Sequence, residues 1–187
     1  MQANQPGKIR IIGGKWRGRR FPVLDIETLR PTPDRVRETL FNWLQPVIEG
    51  ASCLDLFAGT GALGLEAMSR GAGEVVLVEH NSDAALQLSR NIEVLGAAGI
   101  RIYQSDALEW LRQNKQKFDI VFLDPPFRQG LIEKSCALMK VHGGLKKNVL
   151  VYIEADKTLQ IPDGMVLKKQ GTAGQVRFML LAPVNGE

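Results

Sequence analysis

Leu54-Asp55-Leu56-Phe57-Ala58-Gly59-Thr60-Gly61-Ala62-Leu63-Gly64 carries an apolar strand into a glycine turn, and the turn into a helix. The glycines have separate jobs. Gly59 and Gly61 take backbone angles closed to other residues and let a ligand approach the main chain, while Gly64 lets the helix lie close on the strand. Their spacing is G-x-G-x-x-G. Glu79 follows roughly 20 residues on and closes the run Val75-Val76-Leu77-Val78, where a carboxylate that holds a ribose belongs. The unit reads as the start of a nucleoside-binding βαβ arrangement, against the plainer alternative of a turn that only joins a strand to a helix.

Asp55 selects among nucleoside cofactors. A carboxylate just before the turn repels a pyrophosphate but suits a ligand that lacks phosphate and carries an ammonium and a sulfonium, namely S-adenosylmethionine. That favours methyl transfer over hydride transfer.

Working outward, the same unit recurs. Short β-rich runs at 52–57, 74–79, 100–104, 118–123 and 148–154 alternate with helical stretches at 62–70, 82–95, 106–115 and 129–141. Such alternation builds a parallel sheet with helices on both faces, because right-handed crossovers leave few other arrangements. Near the end, 165–169 and 176–181 are joined through Gly171-Thr172-Ala173-Gly174 with no helix between, which predicts a hairpin that adds an antiparallel strand. Upstream, Thr32-Pro33 predicts a helix start, with the hydroxyl at the cap and proline at the first helical position. Val36, Leu40, Trp43, Leu44 and Val47 then share one face of a helix over 33–46. The expected fold is a doubly wound, Rossmann-like α/β sheet, mostly parallel with a C-terminal antiparallel hairpin, preceded by a small basic N-terminal hairpin and a helix.

Bulk properties narrow the classes further. The 187 residues suffice for one well-buried domain, and hydrophobic and charged shares of 44% and 24% exclude disordered and fibrous chains. Apolar runs stop after about seven residues where a membrane span needs about 20, and Met1 to Lys8 lacks the apolar core of a signal peptide. A cytoplasmic location is expected. Cys53 and Cys136 have no partners at metal-ligand spacing and sit in apolar contexts, so they read as buried thiols. With His80 and His142 the only histidines, no metal is expected.

Charge is distributed unevenly. Residues 1–24 carry +6 and no acid, so the rest of the chain sums to −2 within the total of +4. Lys8, Arg10, Lys15, Arg17, Arg19 and Arg20 thus form a basic arm, interleaved with Trp16 and Phe21 around Gly13-Gly14 and Gly18, with a short hairpin over 8–22. Clustered positive charge with aromatics between suits a nucleic acid better than it suits a merely solvated arm. The division expected is 1–32 as a basic arm that binds nucleic acid and 33–187 as the catalytic domain.

In open parallel sheets ligands bind beyond the carboxyl ends of the strands. Asp55 and Gly59, then Glu79, then Asp106, then Asp124 fall at four successive ends, so one cleft can hold them all. Asp106, before Ala107, serves equally as a helix cap or as the acceptor of an adenine amine. Asp124-Pro125-Pro126-Phe127 closes the fourth strand in a rigid turn whose prolines lack amide donors, leaving acceptors facing the cleft. An amine conjugated to a ring is a poor nucleophile, and acceptors that hold its two hydrogens steer the lone pair toward a methyl group. Phe127 offers a face for stacking a base.

With these residues assembled, the chain resembles the class I S-adenosylmethionine-dependent methyltransferases that carry an Asp/Asn-Pro-Pro-aromatic motif. Within them it is most similar to the RsmD family of bacterial 16S ribosomal RNA guanine-N2 methyltransferases. The resemblance spans nearly the whole chain. The cofactor turn and Asp124 to Phe127 define the superfamily, and Arg10-Ile11-Ile12-Gly13-Gly14-Lys15-Trp16-Arg17-Gly18 with Arg30-Pro31-Thr32-Pro33-Asp34-Arg35-Val36-Arg37-Glu38 narrow it. It implies that Asp55, Phe57, Ala58, Gly59, Thr60 and Gly61 hold the methionine part of the cofactor, Glu79 the ribose, and Asp106 with Ala107 the adenine. It places the target base at Asp124 to Phe127, and it brings the arm, Arg30, Arg35 and Arg37 to 16S ribosomal RNA, whether free, in an assembly intermediate or in the small subunit. Phe127 departs from the tyrosine common in the superfamily, which removes a hydroxyl and keeps the stacking face.

Rival readings are methylation of adenine-N6 in DNA or of a protein glutamine, a nicotinamide-dependent oxidoreductase, and an inactive RNA-binding module. The first lacks room for a DNA-recognition domain. The basic arm disfavours the second, Asp55 the third and an intact Asp124 to Phe127 the last.

Overall fold

Ile9 and Phe21 face each other across the antiparallel pair β1 (Lys8–Arg10) and β2 (Arg20–Pro22), and a 3-10 turn (Gly14–Trp16) connects them. A computed structural model describes residues 7–24, 32–126, 130–142 and 144–184. After α1 (Asp34–Leu44) the chain alternates through β3 (Ser52–Asp55), α2 (Ala62–Ser69), β4 (Glu74–Glu79), α3 (Ser82–Leu95), β5 (Ile100–Gln104), α4 (Ala107–Gln113), β6 (Phe118–Leu123) and α5 (Leu131–His142). It ends in β7 (Leu145–Asp156), β8 (Met165–Ala173) and β9 (Val176–Pro183).

Seven strands form one sheet in the order β5-β4-β3-β6-β7-β9-β8. The first five in that order pair in parallel, and the terminal hairpin adds β9 antiparallel to β7. The expected mostly parallel sheet with an antiparallel end is therefore the observed one. Its central strands are apolar on both faces because helices cover both. On one face Phe41, Leu44, Leu63 and Leu88 pack over Cys53, Ile120, Phe122 and Tyr152. On the other, Leu111, Cys136 and Met139 pack over Leu54, Val76, Val121 and Val151. Both cysteines are free and buried. The strand order reverses between β3 and β6, which opens a crevice at their carboxyl ends.

The N-terminal hairpin is part of this body. Ile9, Ile11, Trp16, Phe21 and Val23 are buried against Leu65 of α2, against Leu95, and against Ala97 just beyond α3. Its turn approaches α2 so closely that a Cβ on Gly14 would lie 1.8 Å from the Ser69 carbonyl oxygen, and Gly14 also has φ +75°. Glycine is required there on both counts. The docking is polar as well as apolar. Glu66 of α2 accepts from the backbone N–H of Ile12 and of Gly13 at 2.8 Å each, and the Ser69 hydroxyl donates to Gly13 O at 2.6 Å.

One helix start differs from its sequence reading. Pro33 occupies the cap position of α1 without a side-chain hydrogen bond. The Thr32 hydroxyl donates instead to Asp124 Oδ2 at 3.3 Å, a partner 92 residues away, which local pattern does not show.

Candidate active site

The glycine turn is built as its spacing requires. Gly59 and Gly61 have φ of +51° and +77°. A Cβ on Gly64 would lie 2.3 Å from a Leu77 methyl, so only glycine lets α2 sit this close to β4. Asp55, at the end of β3, is 1% exposed and accepts from Gly64 N at 3.0 Å. Burial pushes its carboxyl up to about 7, against the opposing effect of that bond, and the neighbouring Glu79 adds to the rise. A buried carboxyl in that state gains most from a cationic ligand.

Glu79 ends β4 with both oxygens anchored. Gly59 N donates to Oε2 and Asn81 N to Oε1, each at 2.7 Å. The carboxylate is thereby fixed over the turn with lone pairs left for a diol. Asp106 caps α4: Leu108 N and Glu109 N both donate to Oδ1, at 2.9 and 3.0 Å. Because one oxygen serves both, the cap leaves Oδ2 for an exposed amine. Ala107 beside it is buried. Phe57 and Thr60 are half-buried and Ala58 is buried, lining the same turn. These residues fit S-adenosylmethionine: an anchored diol acceptor, and a buried carboxyl at the end of β3 that disfavours a phosphate and suits a cation.

Asp124 lies just past β6, half-buried beside Asp55 across the crevice, and is followed by buried Pro125 and exposed Pro126. Burial raises its carboxyl well above the usual carboxylate range, and Glu154 and then Asp55 raise it further. Phe127 lies outside the described residues, as does Arg30.

Of the expected RNA contacts, Lys8, Arg10, Lys15, Arg17, Arg19, Arg20 and Arg35 are exposed. The first six line the outward side of the hairpin. Two others need correction. Trp16 is 6% exposed, because the 3-10 turn that carries it docks on α2, where Trp16 N donates to the Ser69 hydroxyl at 3.0 Å and the ring joins the cluster with Leu65. Arg37 is 1% exposed, with its guanidinium donating to Asp34 Oδ1 at 2.6 Å and to Arg10 O at 2.9 Å, and lying 3.7 Å from Glu66. Neither side chain reaches a surface that RNA could meet. Arg37 and Glu66 instead form a buried polar core that holds the hairpin to α1 and α2.

Sequence reasoning missed Glu154, which is 7% exposed on β7 with Oε1 accepting from the Tyr152 hydroxyl at 2.7 Å. The signal was present: Tyr152 and Glu154 alternate onto one face near the carboxyl end of a strand beside the fourth.

Comparison with known proteins agrees with this geometry. A family model described as Conserved hypothetical protein 95 matches residues 9–182. Ribosomal RNA small subunit methyltransferase D of Escherichia coli is 48% identical over 177 residues, covering 93% of this chain and 89% of that protein. The protein of the same name from Haemophilus influenzae is 45% identical, with 95% of each chain covered. A solved structure from Escherichia coli, itself a proposed methyltransferase, superposes with a TM-score of 0.88 at 47% identity, covering 95% of this chain and 98% of that one.

Proposed function

The chain belongs to the RsmD family of ribosomal RNA methyltransferases, and from that premise we propose that it methylates the exocyclic N2 amine of a guanosine in 16S ribosomal RNA, using S-adenosylmethionine. The observation that carries this reading is Asp124-Pro125-Pro126 at the end of β6, next to a buried Asp55 at the end of β3. An amine acceptor and a site for a cationic cofactor thus share one crevice.

Bound there, S-adenosylmethionine would supply a methyl group made electrophilic by its sulfonium. The chain's own groups do the rest. Asp55 balances positive charge, Glu79 holds the ribose and Asp106 the adenine. Asp124 and the Pro125 carbonyl accept the two hydrogens of the guanine amine, which turns its lone pair toward the methyl. A neutral aromatic amine gives up its proton very weakly, but a methylated cationic one does so readily, so proton removal follows attack. Phe127 stacks the base. Residues 1–32 serve as an RNA-binding arm on a methyltransferase domain of 33–187, with the ribosomal small subunit or a precursor of it as the particle recognised.

The deciding experiment incubates 16S ribosomal RNA and small subunits from cells lacking the enzyme with labelled S-adenosylmethionine and maps the modified nucleotide. A single N2-methylguanosine is expected. Label on an adenine or on ribosomal protein would overturn the assignment.

A further inference from the structure

Asp124 and Glu154 stand side by side. β6 and β7 run parallel with Leu123 paired to Ile153, so the next residue on each strand faces the same way, one strand spacing of roughly 5 Å apart. Hydroxyls approach the pair from two sides. Thr32 donates to Asp124 Oδ2 at 3.3 Å and also favours the ionised form of Glu154, while Tyr152 donates to Glu154 Oε1 at 2.7 Å.

Among the described residues the charged surroundings are sparse. From β3 the neighbour is Asp55, another acid, and from β7 it is Tyr152, whose hydroxyl is held well above its usual range by burial and by Glu154. On β9 the residue paired to Glu154 is Phe178, which is apolar. On α1 and α2 the buried ions Arg37 and Glu66 are committed to each other, to Asp34 and to Arg70. Among the described residues neither Asp124 nor Glu154 forms an ion pair. Two carboxyls this close, with no cation between them among the described residues, cannot both ionise without large repulsion.

We propose that Glu154 is a positioning residue for methyl transfer: one proton shared between it and Asp124 holds Asp124 in place as the acceptor of the substrate amine. This rests on the amine-methylation reading above. In the step itself the N–CH3 bond forms as the methyl leaves the sulfonium, and positive charge falls on the amine nitrogen. An N–H bond then breaks and its proton passes to Asp124. The pair, which held one proton, holds two until one is returned to water. Burial raises Glu154 as well as Asp124, which favours retention of the shared proton. Once that proton is lost both carboxyls are ionised, repel, and carry Asp124 off line.

The test has two readouts. Single-turnover rates across about pH 5 to 9 should fall along an alkaline limb in the wild type. Glu154→Gln, whose amide donates to Asp124 at every pH, should lose that limb. Glu154→Ala should slow transfer about 10–100-fold, the scale of a misplaced reacting group, with cofactor affinity little changed, and Glu154→Gln should recover much of the loss. Independently of RNA, the infrared carbonyl band of protonated carboxyl near pH 7 should weaken in Glu154→Gln relative to wild type. Failure of the wild type to methylate RNA would overturn the functional reading, and the infrared comparison would still decide the pair. An unaltered band and pH profile in Glu154→Gln, or a wild-type rate in Glu154→Ala, would overturn the role assigned to Glu154.

Discussion

Burial of Asp55 costs stability, and under the proposed function it leaves the cleft an acid for a cationic cofactor. Its carboxyl is raised to about 7 when folded against the usual value of 3.8, so the unfolded chain releases this proton first as pH rises. Stability is then fully present at low pH and lost as pH climbs from about 4 to about 7. Asp55→Asn keeps an acceptor for Gly64 N and carries no charge. It should make the ligand-free protein more resistant to urea near pH 8 by about 4 kcal/mol, at roughly 1.4 kcal/mol for each pH unit that separates the folded and unfolded values, and should differ little near pH 4. The same variant should bind S-adenosylmethionine much more weakly. Equal urea midpoints at both pH values would show that Asp55 is not held in this state. The role proposed for Asp124 is in the reaction itself. Asp124→Ala should leave cofactor affinity near wild type and slow single-turnover transfer by about 10²–10³, the loss typical of one preorganised polar group. Asp124→Asn, with one acceptor oxygen retained, should keep more activity. If Asn and Ala are equally inactive while both bind cofactor and RNA, the charge is essential and the N–H bond breaks in concert with methyl transfer instead of after it.

Single elements show where local pattern was sufficient and where it was not. The β3 turn, β4 and the strand leading to Asp124 were legible because apolar runs, glycines and prolines act through their own backbone. Asp106 was legible as a cap for the same reason. The hairpin was legible as a hairpin, but its facing was not. Trp16 and Arg37 read as surface groups because the sequence shows their chemistry and not the helix they meet. What holds that hairpin is Glu66, fully buried between Arg37 and Arg70, accepting two backbone amides from Ile12 and Gly13. Removing one partner of a buried ion pair typically costs 3–5 kcal/mol. Glu66→Gln should therefore destabilise the protein by about 3 kcal/mol or more, and protease should cut first in residues 7–24. Unchanged thermal unfolding would mean that apolar packing alone seats the hairpin.

Across the whole molecule, the reversal of strand order between β3 and β6 gathers residues 55, 79, 106 and 124 at one end of the sheet. Helix and strand alternation made that gathering predictable. Thr32 and Glu154 escaped because their importance comes from a neighbour 92 residues away in one case and from strand register in the other. Lys8, Lys15, Arg17, Arg19 and Arg20 of the hairpin are exposed and can meet a polyanion, whereas Arg10 pairs with Asp34 at 3.0 Å. Replacing Lys15, Arg17, Arg19 and Arg20 together with alanine should weaken RNA binding and reduce the slope of log K against log salt by about 3, near 0.7–0.9 for each phosphate no longer neutralised. Folding should be unaffected, since all four are exposed. An unchanged slope would place the RNA on another surface.

The seat of the hairpin also governs how the protein is made. A ribosome delivers residues 8–22 before the groups they pack on, since Leu65, Glu66, Ser69, Leu95 and Ala97 follow only after dozens of further additions. The hairpin segment must wait, undocked and strongly positive, beside the anionic surface of the machine producing it. Nascent chains arrested before Ala97 clears the exit tunnel should be nicked readily within the hairpin, and those arrested well beyond it should be protected.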